Sequence, residues 1–132
     1  MSLLQGGCFC GAIRFDIEAP EKYACICYCQ SCQRAAGAPS VAWATYKKDT
    51  LEIRRGSIHW HHSSPDVTRG LCSVCGTCIS YENEKRPGEI DLSLNALDDP
   101  SAPVLRAHIW TEDKQPWTVI CDDLPIFLRD SQ

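Results

Sequence analysis

No apolar run in these 132 residues approaches the ~20 consecutive apolar residues a bilayer span needs, so no membrane partner is expected. Positive charge is not in excess: 17 acidic residues outnumber 13 basic ones, for a formal net charge of -4. Binding to a phosphate backbone needs clustered cations, so no nucleic-acid partner is expected either. There is no internal repeat, no low-complexity tract and no linker-like segment. Residues 1–132 therefore read as a single domain. No signal peptide is expected, because Met1 to Gln5 runs directly into Gly6-Gly7-Cys8. The expected location is the cytoplasm, a reducing compartment where disulfides rarely persist. Helix signals are also scarce. The best is Gln30 to Ala36, closed by Gly37.

Short strands and cysteine are abundant. Hydrophobic residues make up 44% of the chain and charged residues 23%, an ordinary globular mix. Ile13, Phe15 and Ile17 alternate with Arg14, Asp16 and Glu18, the pattern of a half-buried strand. Ser40 to Tyr46 is apolar on both faces and predicts an interior strand. Leu51 to Arg55 and Ile58 to His62 flank Gly56-Ser57 and predict a hairpin. Ile90 to Leu94, Val104 to Trp110 and Trp117 to Cys121 complete the strand set. The predicted fold is mainly β, a single domain of packed antiparallel sheets.

The 10 cysteines are grouped rather than spread. Cys8 and Cys10 form CxC. Cys25, Cys27, Cys29 and Cys32 form CxCxCxxC. Cys72, Cys75 and Cys78 form CxxCxxC, and Cys121 stands alone. A CxxC turn can present two thiolates to one metal, whereas neighbours such as Cys8 and Cys10 are hard to bridge as a disulfide without strain. Thiolates on zinc are the expected state. The central group has enough ligands for a site of its own. Cys8 and Cys10 then need two more, and Cys72 and Cys75 supply them as a closed structural site. In the central group, Cys27, Cys29 and Cys32 give three ligands and one open position, the arrangement of catalytic zinc. Cys25 could instead close that site as a fourth ligand, because it shares a strand face with Cys27 and Cys29.

In this order the motifs resemble the glutathione-dependent formaldehyde-activating enzyme family. They are Gly7 to Phe15 (GCFCGAIRF), Cys27 to Gly37 (CYCQSCQRAAG) and Leu71 to Tyr81 (LCSVCGTCISY), followed by Leu97 to Trp110 and Pro116 to Phe127. The resemblance implies a β-tent-like fold and two zinc ions. It implies a structural zinc on Cys8, Cys10, Cys72 and Cys75 and a second zinc on Cys27, Cys29 and Cys32. It also implies a carbon–sulfur lyase that joins formaldehyde to glutathione as S-hydroxymethylglutathione. The family often has His between the first two central cysteines and Arg just after the third. Here those positions hold Tyr28 and Gln33, with Arg34 next.

The expected partner is a small thiol or aldehyde, or their adduct. Arg34, two residues past Cys32, is the candidate to orient a glutathione-like carboxylate. The strand carrying Trp43 is expected to help wall the second site. The competing reading is a non-enzymatic zinc module or a thiol or metal sensor. Cys78 and Cys121 read as small buried hydrophobes. His59, His61 and His62 read as a polar strand face with Trp60 turned inward, and His108 as a core or supporting residue. Trp43, Trp60, Trp110 and Trp117 read as core and pocket wall.

Overall fold

The alternation around Phe15 becomes a strand that forms one side of the core. In the computed structural model, which describes residues 2–131, it is β2 (Arg14–Ala19). β2 lies between β1 (Ser2–Gly7) and β5 (Glu52–Arg55) in a three-stranded antiparallel sheet. Ile13, Phe15 and Ile17 are fully buried, each contributing about 1.5–3 kcal/mol of transfer free energy. Asp16, on the other face of the strand, is also buried, and it accepts hydrogen bonds from Gln5 and Arg54.

A larger sheet packs against this face. It is built from β3 (Tyr23–Cys27), β4 (Val41–Lys47), β6 (Ile58–Ser64), β7 (Val67–Cys72), β8 (Cys78–Asn83), β9 (Glu89–Ser93) and β10 (His108–Ile109). The strand order is β10-β3-β4-β9-β8-β7-β6. All pairings are antiparallel except β10 on β3, which is parallel. The predicted mainly β fold of packed sheets is the observed one, with this parallel strand pair added and extended by an isolated parallel bridge from His108 to Ile126. β4 is interior, as its two apolar faces predict. Ala44 and Tyr46 point with Ile90 and Leu92 into the main core. Val41 and Trp43 lie on the opposite face, with Cys27 and Cys32, in a second cluster. That outer face carries one candidate site. The other joins the two sheets.

The predicted hairpin around Gly56 does not form. β5 pairs with β2, while β6 pairs with β7 in the other sheet. Gly56 marks the crossing between sheets: its φ is 88°, and a Cβ there would lie 2.3 Å from the Ala12 carbonyl oxygen. Only glycine tolerates that approach, so the chain passes across the Ala12 backbone instead of folding back on β5. Trp117 to Cys121 is not a strand, and only His108–Ile109 of the 104–110 segment is. Trp60 is not turned inward. It sits on the edge strand β6 and is 46% exposed, and Trp117 is exposed as well. Cys121 is exposed rather than buried, and Cys78 is half-buried. Among the described residues no helix is long and apolar enough to cross a membrane.

Candidate metal centres

Two groups of cysteines converge. The first is Cys8, Cys10, Cys72 and Cys75, whose Sγ atoms all lie within 4.8 Å of one another. Cys8 and Cys10 leave the end of β1, and Cys72 and Cys75 leave the end of β7, so the group bridges the two sheets. Each pair sits on a tight turn with a glycine just past its last cysteine. Gly11 and Gly76 both have φ of 79°, in the left-handed region that favours glycine. Backbone amides point at the sulfurs. Ile13 N donates to Cys8 Sγ at 3.2 Å, and Val74 N and Cys75 N both donate to Cys72 Sγ at 3.3 Å. Thr77 lies beside Cys75 Sγ at 3.0 Å and accepts from Phe9 N, which ties the two turns together.

The spacing fits a metal. A tetrahedron with metal–sulfur bonds of about 2.3 Å has sulfur–sulfur edges of about 3.8 Å. Cys8 and Cys10 Sγ are 3.6 Å apart, and Cys10 and Cys72 Sγ are 3.8 Å apart. The thiols are electrically uneven. Hydrogen bonding to Thr77 pulls Cys75 down to about 5, and Cys8 is also lowered, while Cys10 is pushed up to about 11. Converging thiols cannot all ionise without a cation to offset their repulsion.

The second group is Cys27, Cys29 and Cys32, again with Sγ atoms within 4.8 Å. β3 ends at Cys27, and Cys29 caps α1 (Gln30–Ala36) by accepting from Cys32 N at 3.4 Å. The helix stops as predicted: Gly37 takes the left-handed conformation, and its N–H bonds to the Gln33 carbonyl. Cys32 Sγ also accepts from Trp43 Nε1 at 3.4 Å. Hydrogen bonds from Cys27 and Cys29, with help from Trp43, bring Cys32 down to about 2, while Cys27 is held protonated. Cys25 does not join the group. It is buried on the same strand face, opposite Trp43, and burial pushes its thiol up to about 12. Cys78, Tyr81, Ile109 and Trp110 pack against the cluster of Cys27, Cys32, Val41 and Trp43.

The loop that presents these sulfurs is held from behind. Tyr28 turns away from the cluster, and its hydroxyl lies 2.8 Å from His108 Nδ1. His108 Nε2 lies 2.9 Å from an Asp122 carboxylate oxygen. His108 is therefore a buried support for the loop. Gln33, which stands where the family often has Arg, donates to the carbonyls of Tyr28 at 2.6 Å and Asp113 at 2.9 Å. Its own carbonyl accepts from Gln115 at 3.0 Å. Arg34 is exposed on α1. Two neighbours of this group went unremarked in the sequence: Tyr81 on β8, which packs against it, and Arg69 on β7, which lies over the Tyr81 ring. Arg69 lies three residues before Cys72, and only its burial sets it apart from a surface arginine.

Comparison with known proteins adds the family context. Residues 3–113 match the profile of a family described as "Glutathione-dependent formaldehyde-activating enzyme". A protein of Halomonas elongata, provisionally named as such an enzyme, is 30% identical over 128 residues. That match covers 89% of this chain and 81% of the relative. A crystal structure of a Rhodobacter sphaeroides protein has a TM-score of 0.61 at 22% identity. It covers 72% of this chain and 88% of that one, and supports the fold.

Proposed function

This chain belongs to the glutathione-dependent formaldehyde-activating enzyme family, and from that premise we propose that it is a zinc-dependent carbon–sulfur lyase. Its substrate would be a thiol adduct of a small aldehyde, with glutathione and formaldehyde the pair the family description carries. The reading takes the chain as one zinc-binding domain working in the cytoplasm. Cys8, Cys10, Cys72 and Cys75 would hold a structural zinc, and Cys27, Cys29 and Cys32 a second one. The observation that carries it is the convergence of exactly three sulfurs in the central group, with Cys25 left outside.

A zinc ion with three protein ligands supplies an open position for a thiol sulfur or a carbonyl oxygen. The protein's own groups do the rest. Trp43 Nε1 donates to the Cys32 sulfur and the Cys32 amide to the Cys29 sulfur, and each such donor favours the thiolate form of the sulfur it reaches. Trp43, with Tyr81 and Trp110 packed beside it, would shield one side of the cluster from water. Gln33 and the Tyr28–His108–Asp122 chain fix the loop, so the three sulfurs keep one geometry. Arg34 would meet a carboxylate of an acidic thiol from the solvent side.

The test is a metal count combined with exchange spectroscopy. Elemental analysis should give about two zinc ions per chain. NMR exchange between glutathione with formaldehyde and S-hydroxymethylglutathione should run faster with protein than without. Cys29→Ser should lose the added rate and about one zinc per chain. An exchange rate equal to the spontaneous one, in fully metallated protein, would refute the lyase reading.

A further inference from the structure

Arg69 is 6% exposed, and its Nη1 has no hydrogen-bond partner among the described residues. Its guanidinium carbon lies 5.1 Å from the Tyr81 ring centroid. Tyr81 in turn packs against Trp43, with ring centroids 6.0 Å apart, and Trp43 donates to Cys32 Sγ. A wall of side chains thus runs from Arg69 to the three-cysteine group. The acids in the region are engaged elsewhere. Asp91, paired in register with Tyr81, accepts from Arg86 and Thr45, and Glu82 pairs with Lys48.

A buried charge without an acidic partner among the described residues is costly, and an apolar side chain of similar length is often at least as stable in its place. Negative charge at the neighbouring group would offset that cost. Three thiolates already exceed a divalent cation by one charge, and an anionic fourth ligand makes the centre doubly negative. In a partly buried site such an excess disfavours binding unless a cation stands nearby. We propose that Arg69 is the countercharge that lets the three-cysteine centre accept an anionic sulfur, a thiolate, as its fourth ligand. The proposal rests on the reading above that this centre holds a divalent metal. It selects sulfur over the aldehyde oxygen as the atom that enters. The incoming thiol gives its proton to solvent, and Arg69 acts as a positioning residue for the anion that results. Arg34 is left to meet the carboxylates.

The test uses the full chain loaded with Co(II), whose thiolate charge-transfer absorption reports a fourth sulfur directly. Three probes separate the chemistries: 2-mercaptoethanol (a thiol without carboxylates), imidazole (a neutral ligand) and S-methylglutathione (carboxylates without a free thiol). Metal content is measured for each variant. In wild type, 2-mercaptoethanol should add intensity to the band. Arg69→Met and Arg69→Gln should weaken that binding by on the order of tenfold or more, the scale of losing one partly desolvated countercharge. Arg69→Lys, which keeps the charge, should retain most of the affinity. Imidazole and S-methylglutathione binding should change little. Equal weakening of imidazole, selective weakening of S-methylglutathione, or no rescue by lysine would each overturn the role of Arg69. A wild type that never responds to 2-mercaptoethanol would overturn the open fourth position itself, an outcome distinct from the other three.

Discussion

The two cysteine groups should differ sharply in what their loss does to stability. Cys10 and Cys72 are 62 residues apart, whereas Cys27 and Cys32 are five apart. A cross-link over the longer loop removes about 4 kcal/mol of unfolded-chain entropy, against about 2 kcal/mol for the shorter one. The total stability of a small domain is only about 5–15 kcal/mol, so the long closure is a large part of it. The perturbation is serine for one cysteine in each group. Cys75→Ser breaks the bridge between the two sheets. Cys29→Ser removes one of three neighbouring sulfurs, and serine still caps α1, so the helix start survives. Scanning calorimetry should show a melting temperature lower by roughly 15 °C for Cys75→Ser and roughly half that for Cys29→Ser. Elemental analysis should show about one zinc lost in each case. Equal drops in melting temperature would refute the loop argument. So would a zinc-depleted Cys75→Ser variant with native circular dichroism and native stability.

Cys25→Ser should keep the full metal complement, because the Cys25 sulfur lies outside the three-cysteine group. Metal loss as ready as in Cys29→Ser would instead place a fourth ligand there. Arg34→Ala should weaken calorimetric binding of glutathione a few-fold more than binding of a neutral thiol, the scale of one exposed ion pair. Equal effects would remove Arg34 from carboxylate recognition. Glu89 is held below the usual carboxylate range, first by Lys22 at 2.5 Å and then by Arg86. Its pKa is depressed in the folded state, so its stabilisation is present above the unfolded value of about 4.3 and fades as pH falls through the folded value. Urea unfolding of Glu89→Gln should thus show a deficit of up to about 1 kcal/mol at neutral pH that shrinks below pH 4. A deficit independent of pH would contradict the assignment.

Much of the candidate chemistry is local and could be read from spacing alone. CxC, CxCxxC and CxxC place sulfurs within one turn of each other whatever the rest of the chain does, and the glycines at 11, 37 and 76 mark the turns that follow. Alternation around Phe15 and the two apolar faces of β4 were likewise legible, because burial on one or both faces of a sheet writes itself into the residue pattern. Long-range relations were not. Nothing local distinguishes a glycine that turns a hairpin from one that lets the chain cross a neighbour's carbonyl, as Gly56 does. Cys25 and Cys27 share a strand face, and only the approach of α1 brings Cys29 and Cys32 to one of them and not the other. Gln33 gained its place from hydrogen bonds to a segment about 80 residues away. Arg34 and Arg69 look alike as letters. The outer face of α1 leaves the first exposed, strand packing buries the second beside Tyr81, and the value of a charge depends on that burial, which sequence spacing does not encode.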